Sequence, residues 1–321
     1  MTFTYRNALG RFAGLAGAAL LMAAGVSDAA LAQAYPSRPI EMIVTWGPGG
    51  GADVTGRNLA RLLESELKVT MPVENVAGAT GVTGLMKLLN GQPEGYQVAI
   101  VTADTYGLLA GPGQRWTMND VIPVAVLIQQ RSGYFVKADS PYKTWADVEK
   151  AAKANPLKVG LTGLGSPEDV ATATIAKRKN IKLAPVPYAK PGERYAALVG
   201  GHVDLLYEQA GDVKSFIESN QMRPILFLAN ARTAPFEKIE TSKDVGINLV
   251  ADQFRTLTIK AGTPPDRVKL LADKIAKVTA TAEYKKFLAD QWADPDSVLV
   301  GDKAVAYIKG EVDGLAKLMK N

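Results

Sequence analysis

The sequence predicts an α/β protein made of two units in which strands and helices alternate. Apolar, β-branched runs at Ile40–Trp46 and Tyr96–Thr102 predict strands, and the amphipathic stretch Val54–Leu67 predicts a helix between them. Two glycine-rich turns, at residues 47–53 and 162–167, each follow a predicted strand and open a predicted helix. Alternation of this kind is typical of a parallel sheet with crossover helices.

The remaining predicted elements follow in chain order. In the first unit a strand ends at Met71–Val73, and a helix covers Val82–Leu89. The second unit begins near Tyr134–Lys137 and contains a helix at Thr144–Asn155, a strand at Leu157–Leu161, a helix at Glu168–Lys179 and strands at Val203–Tyr207, Ile225–Ala229 and Phe254–Lys260. A Pro-Pro pair then opens a helical C-terminal region, whose predicted helices are Arg267–Ala280, Glu283–Trp292 and Lys303–Lys320.

Residues 1–34 predict a cleavable signal peptide that precedes the fold. Arg6 and Arg11 come before the apolar run Phe12–Val26, and small residues permit cleavage after Ala32 or Ala34. The apolar run is short for a membrane-spanning helix, and a retained anchor is the alternative interpretation. We therefore expect export of the chain.

The composition excludes several classes of function. The chain has no cysteine, which rules out thiol catalysis and cysteine-ligated metal sites. Its formal net charge is +5, and the charges are dispersed along the sequence. A balance of this size suits attraction of small anions, but the sequence lacks the Lys/Arg cluster of nucleic-acid-binding proteins. We therefore expect no nucleic-acid partner.

The first glycine-rich turn is the most informative functional motif. Four glycines between residues 47 and 51 remove the Cβ atoms from the turn, so backbone N–H groups can approach a bound group closely. Asp53 is predicted to be the N-cap of the following helix. A helix N-terminus with free amides is an anion site, and the second turn has the same arrangement. If the two units face each other, both turns point into one cleft.

Two nucleotide-binding motifs have similar glycine spacing but fit this chain poorly. Residues 47–52 match the dinucleotide pattern G-x-G-x-x-A, and Glu74 lies at the distance of a ribose-binding acid. However, Pro48 stiffens the turn, and Asp53 would place a carboxylate near the pyrophosphate. Residues 51–58 lack the Lys-Ser/Thr pair of a Walker phosphate-binding loop.

Hydrolase chemistry has few residues to use. The single histidine, His202, lies in a predicted surface turn, and no G-x-S-x-G motif is present. The acid pairs Glu168/Asp169 and Asp294/Asp296 are interpreted as charges at a helix start and in a loop, because neither makes a metal-ligand pattern. We expect no catalytic residue, no metal and no cofactor.

An ordered series of short motifs resembles the Bug-type receptors, which are the periplasmic substrate-binding proteins of tripartite tricarboxylate transporters. The series covers essentially the whole chain after residue 34. In order, its motifs are YPSRPI at 35–40, IV at 43–44, GPGGGAD at 47–53, VEN at 73–75, GATG at 78–81, PEGY at 93–96, VPY at 186–188, LVGGHVD at 198–204 and AGTP at 261–264.

The resemblance implies a two-lobed type II periplasmic binding protein fold, in which two Rossmann-like lobes are joined by two hinge-crossing strands near Phe135 and Thr256. Residues 35–135 with 256–321 would form the first lobe, and residues 136–255 the second. Main-chain amides and waters would hold a ligand carboxylate between the two turns. The site residues implied are Trp46, Gly49, Gly50, Gly51, Asp53, Gly78 and Ala79 on the first lobe, and Thr162, Gly163, Gly165, Ser166, Tyr188 and Glu208 on the second.

Some positions depart from the family's pattern, so the ligand's identity does not carry over. Leu161-Thr162 and Asp169-Val170 stand where the family usually has a Ser-rich turn and His-Leu. Glu208 stands where a shorter acid is frequent. Trp46 stands where a smaller residue is usual, either as core or as the wall of a pocket for a planar ligand.

The predicted function is that of a periplasmic solute-binding receptor. It would capture an organic carboxylate, with an aromatic acid among the choices, and deliver it to a two-component membrane transporter. We expect a monomer without enzymatic activity. Two other functions stay open at this point: a ligand-sensing receptor for a signalling partner, and an enzyme such as a dinucleotide-dependent oxidoreductase.

Overall fold

The computed structural model describes residues 35–320, and the predicted signal peptide lies outside the described residues. The strands are β1 (Glu41–Val44), β2 (Val73–Asn75), β3 (Gln97–Thr102), β4 (Val121–Lys137), β5 (Leu157–Leu161), β6 (Leu183–Pro187), β7 (Leu205–Gln209), β8 (Met222–Phe227), β9 (Asp252–Lys260) and β10 (Leu299–Val300). The α-helices are α1 (Gly51–Leu67), α2 (Val82–Asn90), α3 (Ala103–Gly107), α4 (Trp145–Ala154), α5 (Pro167–Lys179), α6 (Pro191–Val199), α7 (Lys214–Glu218), α8 (Pro265–Thr279), α9 (Ala282–Asp290) and α10 (Asp302–Lys320).

The long strand β4 belongs to two halves of the sheet. From Val121 to Arg131 it pairs antiparallel with β9, and from Ser132 to Lys137 it pairs antiparallel with β7 and β8. The strand order is β2-β1-β3-β9-β4-β7-β5-β6, with β8 and β10 each paired to β4. At about 3.3 Å per residue, the 17 residues of β4 span roughly 56 Å, enough to run through two lobes.

We call the first lobe the part built on β1, β2, β3, β9, β10 and the beginning of β4. The second lobe is the part built on β5, β6, β7, β8 and the end of β4. Within the first lobe β1 pairs parallel with both β2 and β3, and within the second β5 pairs parallel with both β6 and β7. The predicted parallel strands with crossover helices are therefore present in both lobes.

The chain crosses between the lobes a second time just before β9. The N–H of Ala251 donates to the carbonyl of Leu228 at 3.1 Å, and its carbonyl accepts from Ser132 N–H at 3.1 Å. β9 then begins at Asp252 and pairs with β3. The expected two-lobed fold with two crossing segments is therefore confirmed. The predicted domain boundaries stay a prediction; in the strand pairing, the changes of lobe fall after Arg131 and at Asp252.

Each lobe has its own apolar core. The first-lobe core includes Ile43, Tyr106 and Trp116. The second lobe has two cores, one containing Tyr134 and the other Phe135. Since successive side chains of a strand point to opposite faces, these two neighbours place the two cores on opposite faces of the sheet.

Several elements of the fold were not predicted from the sequence, for identifiable reasons. β4 begins at Val121 and not near Tyr134, because its residues are buried on both faces and show no alternation. β6 was missed because it contains Pro185 and Pro187, which an edge strand tolerates. The short helices α3, α6 and α7 and the two-residue strand β10 were missed as well. In the described part of the chain, no helix combines the length and the apolar character needed to cross a membrane.

Asp252, at the second crossing, makes the stability of the fold depend on pH. Burial raises the pKa of its carboxyl group to about 6; Arg131 opposes this shift and Asp294 adds to it. Its Oδ1 atom is buried and has no hydrogen-bond partner among the described residues. The folded state therefore binds this proton more tightly than the unfolded state. The resulting stabilisation is present below the ordinary pKa of 3.8 and is lost as the pH rises through about 6.

We predict that Asp252→Asn removes this loss of stability. Its free energy of unfolding should exceed that of the parent by about 2 kcal/mol near neutral pH and should differ little near pH 4. Urea denaturation across this pH range measures the difference. The same change at the exposed Asp313 serves as the control and should leave the parent profile unchanged. Parallel pH profiles for the parent and Asp252→Asn would contradict the assignment.

Candidate functional site

The candidate site begins at the glycine-rich turn between β1 and α1. Gly50 is the N-cap of α1, so the prediction of Asp53 as N-cap and of a helix starting at Val54 is wrong. Both carboxylate oxygens of Asp53 are engaged, because Oδ2 accepts Gly49 N–H at 3.0 Å and Oδ1 accepts from Arg57 and Asn75. Burial acts to raise the pKa of Asp53, but these hydrogen bonds outweigh it and lower the pKa. Asp53 thus fixes the shape of the turn.

The second lobe touches the first at this turn. A Cβ atom on Gly50 would lie 2.5 Å from Cγ of Pro191, and one on Gly51 would overlap Nη2 of Arg255 and both carboxylate oxygens of Asp212. These positions therefore require glycine because the lobes approach so closely. The first N–H groups of α1, which have no acceptor within the helix, lie at this contact.

A cavity of about 30 Å³ lies between the lobes at the start of α1, with room for about two water molecules. Its lining is Trp46, Gly50, Gly51, Ala52, Thr102, Asp104, Gln253 and Arg255 from the first lobe, and Thr162, Glu168, Pro191, Arg194, Tyr195, Glu208, Gln209 and Asp212 from the second. Larger cavities, of about 200 and 280 Å³, lie beside the crossing segments and along α10. We assign the site to the small cavity because the start of α1 there meets four carboxyl and two guanidinium groups.

One ion pair in the cavity lies wholly within the second lobe. Arg194, on α6, donates to Oε2 of Glu208 at 2.5 Å through Nη2 and at 3.2 Å through Nε. Its Nη1 donates to the carbonyl of Tyr188 at 3.1 Å. The side chains of Arg194 and Glu208 are 4% and 2% exposed, so neither charge is screened by solvent. Glu208, which the family resemblance implied as a ligand residue, is therefore already paired.

A second ion pair joins the two lobes. Arg255, on β9, donates to Oδ2 of Asp212, which follows β7, and also to the side-chain oxygen of Gln130 on β4. Both charged side chains are buried. The Nε atom of Arg255 and Oδ1 of Asp212 have no partner among the described residues. This pair places a contact between the lobes directly over Gly51.

Two further carboxyl groups, Asp104 and Glu168, face the cavity from opposite lobes. Asp104 lies on α3 and accepts Gln253 Nε2 at 2.6 Å; Thr162 Oγ1 donates to it across the cleft at 3.4 Å. Glu168 lies on the first turn of α5, and its Oε2 accepts Thr162 N–H at 2.7 Å. Burial raises the pKa of both acids, and that of Glu168 further. Repulsion from Glu208 adds to both shifts and repulsion from Asp104 adds to the shift of Glu168, whereas Arg194 opposes both shifts. Glu168, interpreted from the sequence only as a charge at a helix start, therefore also lines the cavity.

The cavity also has an aromatic wall. Trp46 is 4% exposed, and its indole N–H donates to Thr102 Oγ1 at 3.0 Å. Trp46 was interpreted either as a core residue or as the wall of a pocket. Its side chain is buried and also lines the cavity. Across the cleft, the hydroxyl of Tyr195 is buried without a partner among the described residues.

The structure brings only part of the predicted site together. Trp46, Gly50, Gly51, Thr162 and Glu208 line the cavity, whereas Gly49, Asp53, Gly78, Ala79, Gly163, Gly165, Ser166 and Tyr188 do not. Gly78 and Ala79 open a short 3₁₀ turn, and Tyr188 packs against a second-lobe core. Whether any of these residues contacts the ligand stays a prediction.

The second glycine-rich turn uses its amides within the turn itself. Ser166 is the N-cap of α5, and its side chain accepts Asp169 N–H at 3.3 Å. Thr162 N–H donates to Glu168, and Gly165 N–H donates to Asp169 at 2.8 Å. The chain's own carboxylates therefore occupy two amides that the sequence analysis expected to serve an anion.

Most of the charged and polar residues in the cavity were missed from the sequence. Asp104, Arg194, Asp212, Gln253 and Arg255 carry no motif, because each lies in or beside an ordinary strand or helix. In the described residues, no group of His, Asp or Glu side chains has the arrangement of a metal site. His202 is exposed in the turn before β7.

Comparison with known proteins establishes the family. Residues 55–317 match the family described as Tripartite tricarboxylate transporter family receptor. The chain belongs to this family. The predicted resemblance to Bug-type receptors is confirmed, and the enzyme alternatives are wrong, since the matched family is one of transporter receptors.

The similarity to relatives and to solved structures extends over most of this chain. The chain is 30% identical over 284 residues to the UPF0065 protein in the gbd 5' region of Cupriavidus necator, covering 86% of each chain. It is 27% identical to BugT of Bordetella pertussis, covering 92% of this chain and 93% of BugT. A TctC solute-binding protein from Polaromonas is 30% identical, with a TM-score of 0.65 over 89% of this chain and 99% of that one. R. palustris Rpa4515 with adipate shares the fold, with a TM-score of 0.82 and 21% identity over 89% and 97% of the two chains.

We predict that the buried Arg194–Glu208 pair is strongly coupled. Arg194→Met leaves the Glu208 carboxylate buried and unpaired and should destabilise the protein by about 3–5 kcal/mol. The double variant Arg194→Met/Glu208→Gln should recover a large part of this loss, as urea denaturation without ligand would show.

The exposed pair Lys269–Asp273 on α8 provides the control for this experiment. Lys269→Met should change stability little, since solvent screens exposed pairs. Equal destabilisation in the single and double Arg194 variants would show that burial does not couple the two charges.

Proposed function

We propose that this receptor captures a small organic carboxylate in the interlobe cavity and delivers it to a two-component membrane transporter. The observation that carries the proposal is the start of α1, where Gly50, Gly51 and Ala52 line the cavity. Free N–H groups at the N-terminus of a 17-residue helix favour a carboxylate. Membership of the tricarboxylate receptor family supports both the ligand class and the transporter partner.

The tight contact between the lobes supports a capture mechanism. A space of about 30 Å³ is too small for an organic acid, so the lobes separate to admit the ligand and close around it. The segments that cross between the lobes, β4 and the residues before β9, carry this movement. Because Trp46 lines the cavity and could stack on a planar ligand, the proposed ligand class includes aromatic acids. We further propose that residues 1–34 direct export to the periplasm and that the receptor acts as a monomer.

We predict that a carboxylate stabilises the purified protein against heat. At a concentration of about 100 times its Kd, a ligand adds about 2.7 kcal/mol and should raise the melting temperature on the order of 5 °C. Thermal-shift measurements with di- and tricarboxylates and aromatic acids test this, with the parent alcohols or amides as uncharged controls. A flat response to the whole acid panel would overturn the proposed ligand class.

We predict that Gly50→Val weakens ligand binding at least about tenfold. The backbone of Gly50, with φ −89° and ψ 171°, suits valine, so the separate lobes should still fold. The added side chain would collide with Pro191 and hold the lobes apart. Isothermal titration gives the affinity, and the melting temperature without ligand reports the fold.

Gly192→Ala is the matched control for this variant. It lies next to Pro191 on α6, but a Cβ atom there meets nothing within 4 Å. Its affinity should equal that of the parent. If Gly50→Val binds the ligand as tightly as the parent, the lobe contact at this turn is not needed for binding.

A further inference from the structure

The charges in the interlobe cavity do not match those expected for a pure carboxylate site. Four carboxyl groups and two guanidinium groups line it. Each guanidinium already pairs with a carboxylate, Arg194 with Glu208 and Arg255 with Asp212. Asp104 and Glu168 form no ion pair with the lysine and arginine side chains of residues 35–320. The cavity therefore contains two more carboxyl groups than guanidinium groups.

Glu168 has an unused hydrogen-bonding atom in this cavity. The residue is 2% exposed, and its Oε2 accepts Thr162 N–H, whereas Oε1 is buried with no partner among the described residues. Asp104 is equally buried and receives neutral donors, from Gln253, Thr102 and Thr162. A buried carboxylate oxygen without a donor is unfavourable unless a ligand supplies one.

A protonated amine is the group that fits these two acids. An ammonium carries three N–H donors and one positive charge, so it can donate to Oε1 of Glu168 and to Asp104 at the same time. A second carboxylate on the ligand would instead add to the negative charge. Burial raises the pKa values of both acids, and Arg194, which is already paired with Glu208, opposes these shifts only in part.

We propose that the ligand is an amino-carboxylate, whose ammonium group lies between Asp104 and Glu168 and whose carboxylate lies at the start of α1. The carboxylate half of this inference rests on the proposed function. Asp104 belongs to the first lobe and Glu168 to the second, so their like charges oppose closure. The ammonium group removes this repulsion and links the lobes, which makes closure depend on the amine.

Matched acids that differ only by an amine test the inference. We would titrate the full-length receptor with succinate and aspartate, glutarate and glutamate, and butyrate and 4-aminobutyrate. At least one amino member should bind at least about tenfold more tightly than its partner. In Glu168→Gln and in Asp104→Asn this preference should fall about tenfold or more, because an amide cannot neutralise the ammonium charge. Two variants are used so that a folding defect in one leaves the other to decide.

The exposed Glu193→Gln on α6 is the control and should keep the preference of the parent. If plain acids bind as tightly as their amino partners, the inference fails and the proposed carboxylate receptor stands. If no acid of either kind binds while an amine such as butylamine does, the proposed function fails, and the amino-carboxylate inference fails with it. Loss of preference in Glu193→Gln equal to that in Glu168→Gln would also overturn the inference.

Discussion

The ion pair between Arg255 and Asp212 is the contact on which the interlobe site depends. It joins β9 of the first lobe to the segment after β7 of the second, and it lies where a Cβ atom of residue 51 would be. Arg255 also bonds Gln130 on β4, one of the segments that cross between the lobes. The pair therefore couples lobe closure to the crossing strand. Glycine at residue 51 is required for this coupling as well as for access to the helix amides.

The site has two chemically different ends. At the start of α1, free helix N–H groups favour negative charge. At the other end, Asp104 and Glu168 form no ion pair with the lysine and arginine side chains of the described residues, although the chain as a whole is basic, with a formal net charge of +5. Net charge acts on approach from solution, whereas recognition in a buried cavity depends on which charges are already paired. Arg194 and Arg255 are cationic residues of the cavity, but each is already paired, with Glu208 and with Asp212, which leaves Nε of Arg255 as a buried donor without a partner among the described residues.

The parts of the fold that could be predicted from sequence are those fixed by local pattern. The glycine-rich turn, the alternating elements and the start of α5, predicted at Glu168 and observed at Pro167, depend on neighbouring residues. The cavity depends on long-range contacts, such as Gln253 with Asp104, which are 149 residues apart. Local sequence pattern also gave no correct role where the same residue type can serve two structural roles. An acid in the first helical turn can bond the turn amides, as Asp53 does, or also face a cavity, as Glu168 does, and only the packing of the opposite lobe separates these roles.

Under the proposed capture mechanism the receptor is open without ligand and closes with it, so the two states must differ by only a few kcal/mol. The structure contains interactions that stabilise the closed state and interactions that destabilise it. The Arg255–Asp212 pair and the contact of Gly50 with Pro191 favour closure, whereas the like charges of Asp104 and Glu168 on opposite lobes oppose it. A ligand can shift this balance only through contacts that it gains on closing. In the proposed binding mode the ammonium group between the two opposing acids gains such contacts from both lobes at once, so the proposal assigns the control of closure by ligand identity to this part of the cavity.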